Sequence, residues 1–246
     1  VSTRSLRKAN YVVREMARYY FPLYDIPAED AFSYLSTLLI CESIVFDVDL
    51  DLEKSQGEGL FDRVLRSRNQ IAEHLSQEGL LDQAIEAELD NLVEYARLEH
   101  RLMSASLPGA EEIERACALR TSDIRLLHRV LVRMLGRDYN ESYFELMWPL
   151  EAIMDIELDL EDYPRDLAEN GFNTMILLQR LRGQEDGRQA VGSLLQGYEA
   201  RFMERLLLSP PDTQRRFLGV LARYQTDHPR PALPTAQTKA ASPRLL

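Results

Sequence analysis

The stretch AFSYLSTLLICESIVFDVDLDLEK, residues 31–54, decides how this chain reads. It is apolar on nearly every side until three aspartates appear, the pattern of a helix packed on most of its surface. The spacing predicts a helix from about Pro27 or Ala28 and places it centrally. Asp47 and Asp51 stand four residues apart and share one face, whereas Asp49 points elsewhere. Like charges stacked at the edge of an apolar helix are mildly destabilising without a counter-cation, so a divalent metal is an attractive explanation.

Working outward, the surrounding chain carries the same periodicity. Residues 5–20 form a basic amphipathic helix, with Tyr11, Met16, Tyr19 and Tyr20 interleaved with Arg4, Arg7, Lys8, Arg14 and Arg18. FDRVLRSRNQIAEHL (61–75), LLDQAIEAELDNLVEYARLEHRLMSAS (80–106) and AEEIERACALRTSDIRLLHRVLVRML (110–135) each show helical spacing, and Pro108 with Gly109 separates the last two. A further helix is expected to begin at or just before Pro149 and to stop or kink near Pro164. GFNTMILLQRL, the stretch around 194–208, and TQRRFLGVLARYQ supply three more. Residues 228–246, rich in Pro and polar groups, read as a disordered tail. The expectation is an all-α fold, one helical domain over residues 1–227.

Composition agrees. Of 246 residues 45% are apolar, while Gly and Pro number only 11 each, too few for the frequent turns of an all-β chain. Cys41 and Cys117 are the two cysteines, and both sit in apolar helical stretches, which argues against a disulfide framework or a thiolate metal site. No stretch approaches the roughly 20 apolar residues of a membrane span, and a cytoplasmic location is expected. The formal charge of −11, with no basic stripe seen to offset it, argues against broad contact with nucleic acid or anionic membrane.

A second acidic cluster lies in EAIMDIELDLED (151–162), where Glu151, Asp155, Asp159 and Asp162 recur every four or three residues between apolar neighbours. Carboxylates of this kind suit Mg2+ or Mn2+, which keep several waters and complete their shell with substrate phosphates. Two such helical faces, far apart in sequence, would suit metals gripping a diphosphate between facing helices. The plainer alternative is that both are solvated faces of an acidic protein.

At this point the sequence resembles the class I terpene synthases, over several ordered features from about Pro27 to Tyr224. Asp47 and Asp51 match the outer positions of that family's DDxxD motif, with Val48 at the middle aspartate, a DxxxD form similar to that of squalene and phytoene synthases. LPGAEEIERACALRTSDIRLLHRVL (107–131) resembles the helix pair that carries a diphosphate-sensing arginine and, three residues on, a linker aspartate; Arg120 and Asp123 match. The second metal motif spaces its ligands by four, which admits two frames: Asp155 and Asp159 with Asp162 as substitute, or Glu151, Asp155 and Asp159. Arg223 and Tyr224 match the family's C-terminal Arg-Tyr pair.

The resemblance implies a helical isoprenoid synthase fold and Mg2+-dependent ionisation of a prenyl diphosphate to a terpene. Arg120, Arg223 and Tyr224 would then contact the diphosphate. Two further classes stay open. One is a prenyl transferase of the squalene or phytoene synthase type, disfavoured because Glu42 and Met154 stand where that family tends to place arginines. The other is a non-enzymatic helical interaction protein. The sequence leaves a homodimer open.

Overall fold

A computed structural model describes residues 1–52, 59–105 and 107–228, and at 28, 48–52 and 60 the backbone path alone. Among these residues the chain is helical, with no strand. In order the helices are α1 (Thr3–Leu23), α2 (Phe32–Leu52), α3 (Leu60–Gln77), α4 (Gln83–Ser104), α5 (Ala110–Arg120), α6 (Ser122–Met134), α7 (Glu141–Glu169), α8 (Thr174–Arg182), α9 (Gln184–Leu208) and α10 (Pro211–Asp227), with a 3-10 turn at Ala28–Asp30. None is long and apolar enough to cross a membrane among the described residues. The stretch expected to be a disordered tail lies, from 229 onward, outside the described residues.

The helices group into two compact units interleaved along the chain: Val1–Ala96, Ser122–Glu141 and Pro210–Tyr224 in one, Arg97–Thr121, Ser142–Ser209 and Gln225–Leu246 in the other. In the first, α2 packs on α1, α3 and α6. Leu38 and Cys41 of α2 are buried, as are Met16 and Tyr20 of α1, Ile71 and Leu75 of α3, and Leu127 and Leu131 of α6. The apolar run of α2 is not enclosed on every side, however, since Phe32 is 84% exposed and Ile40 42%. In the second unit α8 packs on α5 and α9, around Ile113, Ile156, Leu160, Leu177 and Phe202.

Several boundaries differ from the expected ones. The helix expected to start at Pro149 starts at Glu141 and runs through both Pro149 and Pro164. An interior proline costs about 3 kcal/mol through a lost hydrogen bond and a clash with the preceding turn. Here that cost is offset by burial of Met147, Leu150 and Ile153 around the first proline and of Leu160 and Tyr163 in the turn before the second. What ends α7 is Asn170, in the left-handed region at φ 54°, followed by Gly171, whose N–H reaches back to the Asp166 carbonyl at 2.8 Å. That is a Schellman-type stop. Helix α9 starts at Gln184, well before 194. Its glycine-rich first turns lower local propensity, but Gly187 is buried where it meets the backbone of Gln179 on α8. Helix α2 begins at Phe32, after the 3-10 turn rather than at Pro27.

Helix α1 corrects the charge reading. Its buried face carries Ser5, Ala9, Val13, Met16 and Tyr20, so Arg4, Arg7, Tyr11, Arg14 and Arg18 are all turned outward. A basic stripe is present on this acidic chain.

Candidate functional site

The site in the second unit begins with a break in helical backbone. Helix α5 stops at Arg120, and Thr121 follows at φ −76° and ψ 9°, off the helical track, before α6 begins at Ser122. Arg120 thereby sits at a helix C-terminus, where a cation is favoured by the carbonyl ends. Its Nη1 donates to Oδ1 of Asp159 at 2.6 Å, and its Nε stands 3.9 Å from Oδ2 of Asp155. The guanidinium also lies over the Phe172 ring at 5.4 Å, a cation-π contact.

Asp159 is 2% exposed, and its charge is compensated from two sides. Arg120 meets one oxygen, and the backbone N–H of Thr174, the first residue of α8, donates to the other at 2.8 Å. A carboxylate at a helix N-terminus is favoured by the unpaired amides there. Asn173 caps the same helix: its Oδ1 accepts from the amides of Met175 and Ile176. Its Nδ2 donates to the Asp159 carbonyl at 2.6 Å and to Oδ2 of Asp166 at 3.0 Å. Arg120, Asp159, Asn173 and Thr174 thus form one cross-braced cluster that joins α5, α7 and α8.

The other acidic groups of α7 differ in their surroundings. Asp155 keeps 27% of its side chain exposed, close to the 26% of Arg120. Glu151 is buried at 4%. Asp162 pairs with Arg165 at 2.6 Å. Nearby, burial pushes the thiol of Cys117 up to about 12, against a hydrogen bond with Thr174 at 3.5 Å that lowers it, so this cysteine is no nucleophile at neutral pH.

The remaining candidates belong to the first unit. Asp47 accepts from the Ser2 amide at 3.0 Å and from the Ser5 hydroxyl. Partial burial raises its pKa, but these hydrogen bonds outweigh it and hold the carboxyl at about 2. It is therefore charged at neutral pH and about one-third exposed, at 32%. Asp51 is on α2, with its side chain outside the described residues. Arg223 donates from Nη1 to the Arg18 carbonyl at 2.7 Å, and Tyr224 stacks edge-on with Tyr19 at 6.0 Å. Asp123 accepts from the neighbouring Ile124 amide at 2.7 Å.

Against the sequence expectations, the structure brings Arg120, Asp155 and Asp159 together and separates Asp162 into a different pair. Among the described residues no three His, Cys, Asp or Glu side chains form a group able to hold a metal ion. The donor chemistry at Asp47 and Asp155 suits a hard cation, since both are partly exposed carboxylates. Asp159 suits it less, because both of its oxygens already accept strong hydrogen bonds. Sequence reading missed Asn173 and Thr174 as parts of the cluster, although an Asn immediately before an apolar periodic run is a recognisable cap signal. Compared with protein-family models, with curated proteins and with solved structures, the chain matches none.

Proposed function

We propose that this chain is a class I terpene synthase, which ionises a prenyl diphosphate and releases a terpene and diphosphate. The observation that supports this best is Arg120, held at the break between two helices by the acidic face of α7. An arginine at such a break, beside a partly exposed carboxylate, supports a role in sensing a diphosphate.

In this reading Arg120 donates to the diphosphate oxygens through its planar guanidinium, a fork well matched to phosphate. Asp159 and the Thr174 amide act behind it as positioning groups, fixing its orientation before substrate arrives. Asp155, beside Arg120, is the carboxylate of this unit assigned to Mg2+; Asp47 and Asp51 on α2 are candidate Mg2+ ligands of the first unit. The ion, when bound, neutralises charge on the departing diphosphate. Arg223 and Tyr224 are further candidate contacts to the diphosphate. Once the carbon–oxygen bond breaks, its electron pair leaves with the diphosphate. The allylic cation then closes on its own double bonds, loses a proton, or captures water.

The test is incubation of purified protein with Mg2+ and, separately, geranyl, farnesyl and geranylgeranyl diphosphates, with gas chromatography and diphosphate release as readouts. A metal-dependent hydrocarbon or alcohol from a single substrate, abolished in Asp155→Asn, is the expected result. A longer joined chain, formed only with a second prenyl diphosphate, would assign a transferase. No product and no diphosphate release from any mixture would remove the proposal in favour of an interaction protein.

A further inference from the structure

We propose that the outer face of α1 docks on an anionic lipid surface. The inference is independent of the chemistry assigned above. Arg4, Arg7, Tyr11, Arg14 and Arg18 follow one another at intervals of three, four, three and four, which aligns them on one side of a helix. All five are exposed. The opposite side is locked against α2 through Ala9, Val13 and Met16, each at most 3% exposed, so the stripe is a fixed feature rather than one rotamer of a rolling helix. From residue 4 to residue 18 it spans about 21 Å at 1.5 Å per residue. Glu15 is the single acid of α1, and it stands 3.7 Å from Arg18 at the inner end of the row.

Two details favour lipid over an acidic polypeptide or a nucleic acid. First, an amphipathic ring stands within the charged row: Tyr11 is 58% exposed. A phenol with an apolar ring and a polar tip suits the boundary between headgroups and acyl chains. Basic residues clustered on one face of a helix are each drawn to an anionic leaflet when they lie near its surface. Second, the net charge of −11 is an obstacle only over distance. At physiological ionic strength the screening length is about 8 Å. Arginines in contact with headgroups, Arg7 and Arg14 at the middle of the row among them, therefore feel the lipid charge more strongly than acidic groups farther from the surface, which are largely screened. Guanidinium groups also meet lipid phosphates with paired donors.

The experiment is co-sedimentation of the full chain with vesicles of phosphatidylcholine alone and of phosphatidylcholine mixed with phosphatidylserine, at physiological salt. Expected are binding to the mixed vesicles, none to the neutral ones, and at least about tenfold weaker binding for Arg7→Glu/Arg14→Glu. Both positions are exposed, so the melting temperature should be unchanged; Arg7→Gln/Arg14→Gln provides a milder variant with the same expected direction. Tyr11→Trp should show a blue-shifted emission on mixed vesicles. The proposal is overturned by absence of binding, by equal binding to neutral vesicles, by charge variants that bind like the parent, or by retention on polyglutamate without vesicle binding.

Discussion

Asp159 and Asp155 lie one helical turn apart on α7 and both face Arg120, yet one is 2.6 Å from it and 2% exposed, the other 3.9 Å away and 27% exposed. The two carboxylates therefore have different work. Asp159→Ala would leave the Thr174 amide and one side of Arg120 without their buried partner, a loss of about 3 kcal/mol. Asp155→Asn alters a half-open contact and should shift stability by less than about 0.5 kcal/mol. Urea denaturation midpoints of the two variants measure the difference. Equal losses would show that Asp159 does not carry the cluster.

Asn173 joins the cap of α8 to α7. Asn173→Ala removes the one oxygen that accepts from two helix amides and the amide group that donates to the Asp159 carbonyl and to Asp166, and should cost roughly 2–3 kcal/mol. Asn173→Asp keeps an acceptor for the amides of Met175 and Ile176 but puts a second carboxylate oxygen against Asp166 and the Asp159 carbonyl. It should fail to restore the parent melting temperature at neutral pH. Full restoration by Asp would mean that the cap alone matters.

Two glycines of α9 should respond in opposite directions. A Cβ on Gly187 would stand 2.6 Å from the Gln179 Cα and 2.7 Å from its amide nitrogen, so the backbone of α8 would have to move. Gly187→Ala should lose about 1–3 kcal/mol. A Cβ on Gly192 meets nothing within 4 Å. Gly192→Ala should gain up to about 1 kcal/mol from reduced freedom of the unfolded chain. Calorimetric melting of the pair is the measurement.

His128 sets an acid-side slope. It is fully buried, bonded through Nε2 to the Tyr24 hydroxyl at 2.6 Å. Burial first, and then the charge of Arg129, holds its pKa well below 6.5. As pH falls through 6.5 the unfolded chain takes up a proton at this site that the folded chain refuses, so stability drops with falling pH, by at most about 1.4 kcal/mol per pH unit. In His128→Gln that contribution vanishes. The stability difference between parent and variant should therefore shrink steadily from pH 7 to pH 5; a constant difference would refute the assignment.

Much of the helical layout is legible because it rests on periodicity. The spacing in 61–75 and 80–106 places α3 and α4, whereas 110–135, one stretch by its spacing, divides at Thr121 into α5 and α6. Pro149 and Pro164 misled because local propensity registers the cost of an interior proline and not the burial that offsets it. Asn170 and Gly171, a few residues on, carried the real stop signal.

The amino-acid sequence by itself determined the all-helical class, the acidic stripe of α7 and the arginine positions of α1, since each depends only on residue type and a repeat of three to four. Which member of a stripe is buried, and which face of α1 meets the core, depends on what packs against it from far along the chain. Asp155 and Asp159 are equivalent in a helical projection until the N-terminus of α8 closes over one of them. The arginines of α1 form an outward row only once α2 has taken the other face. Tertiary structure decided both, because desolvation is set by neighbours in space and not by neighbours in sequence.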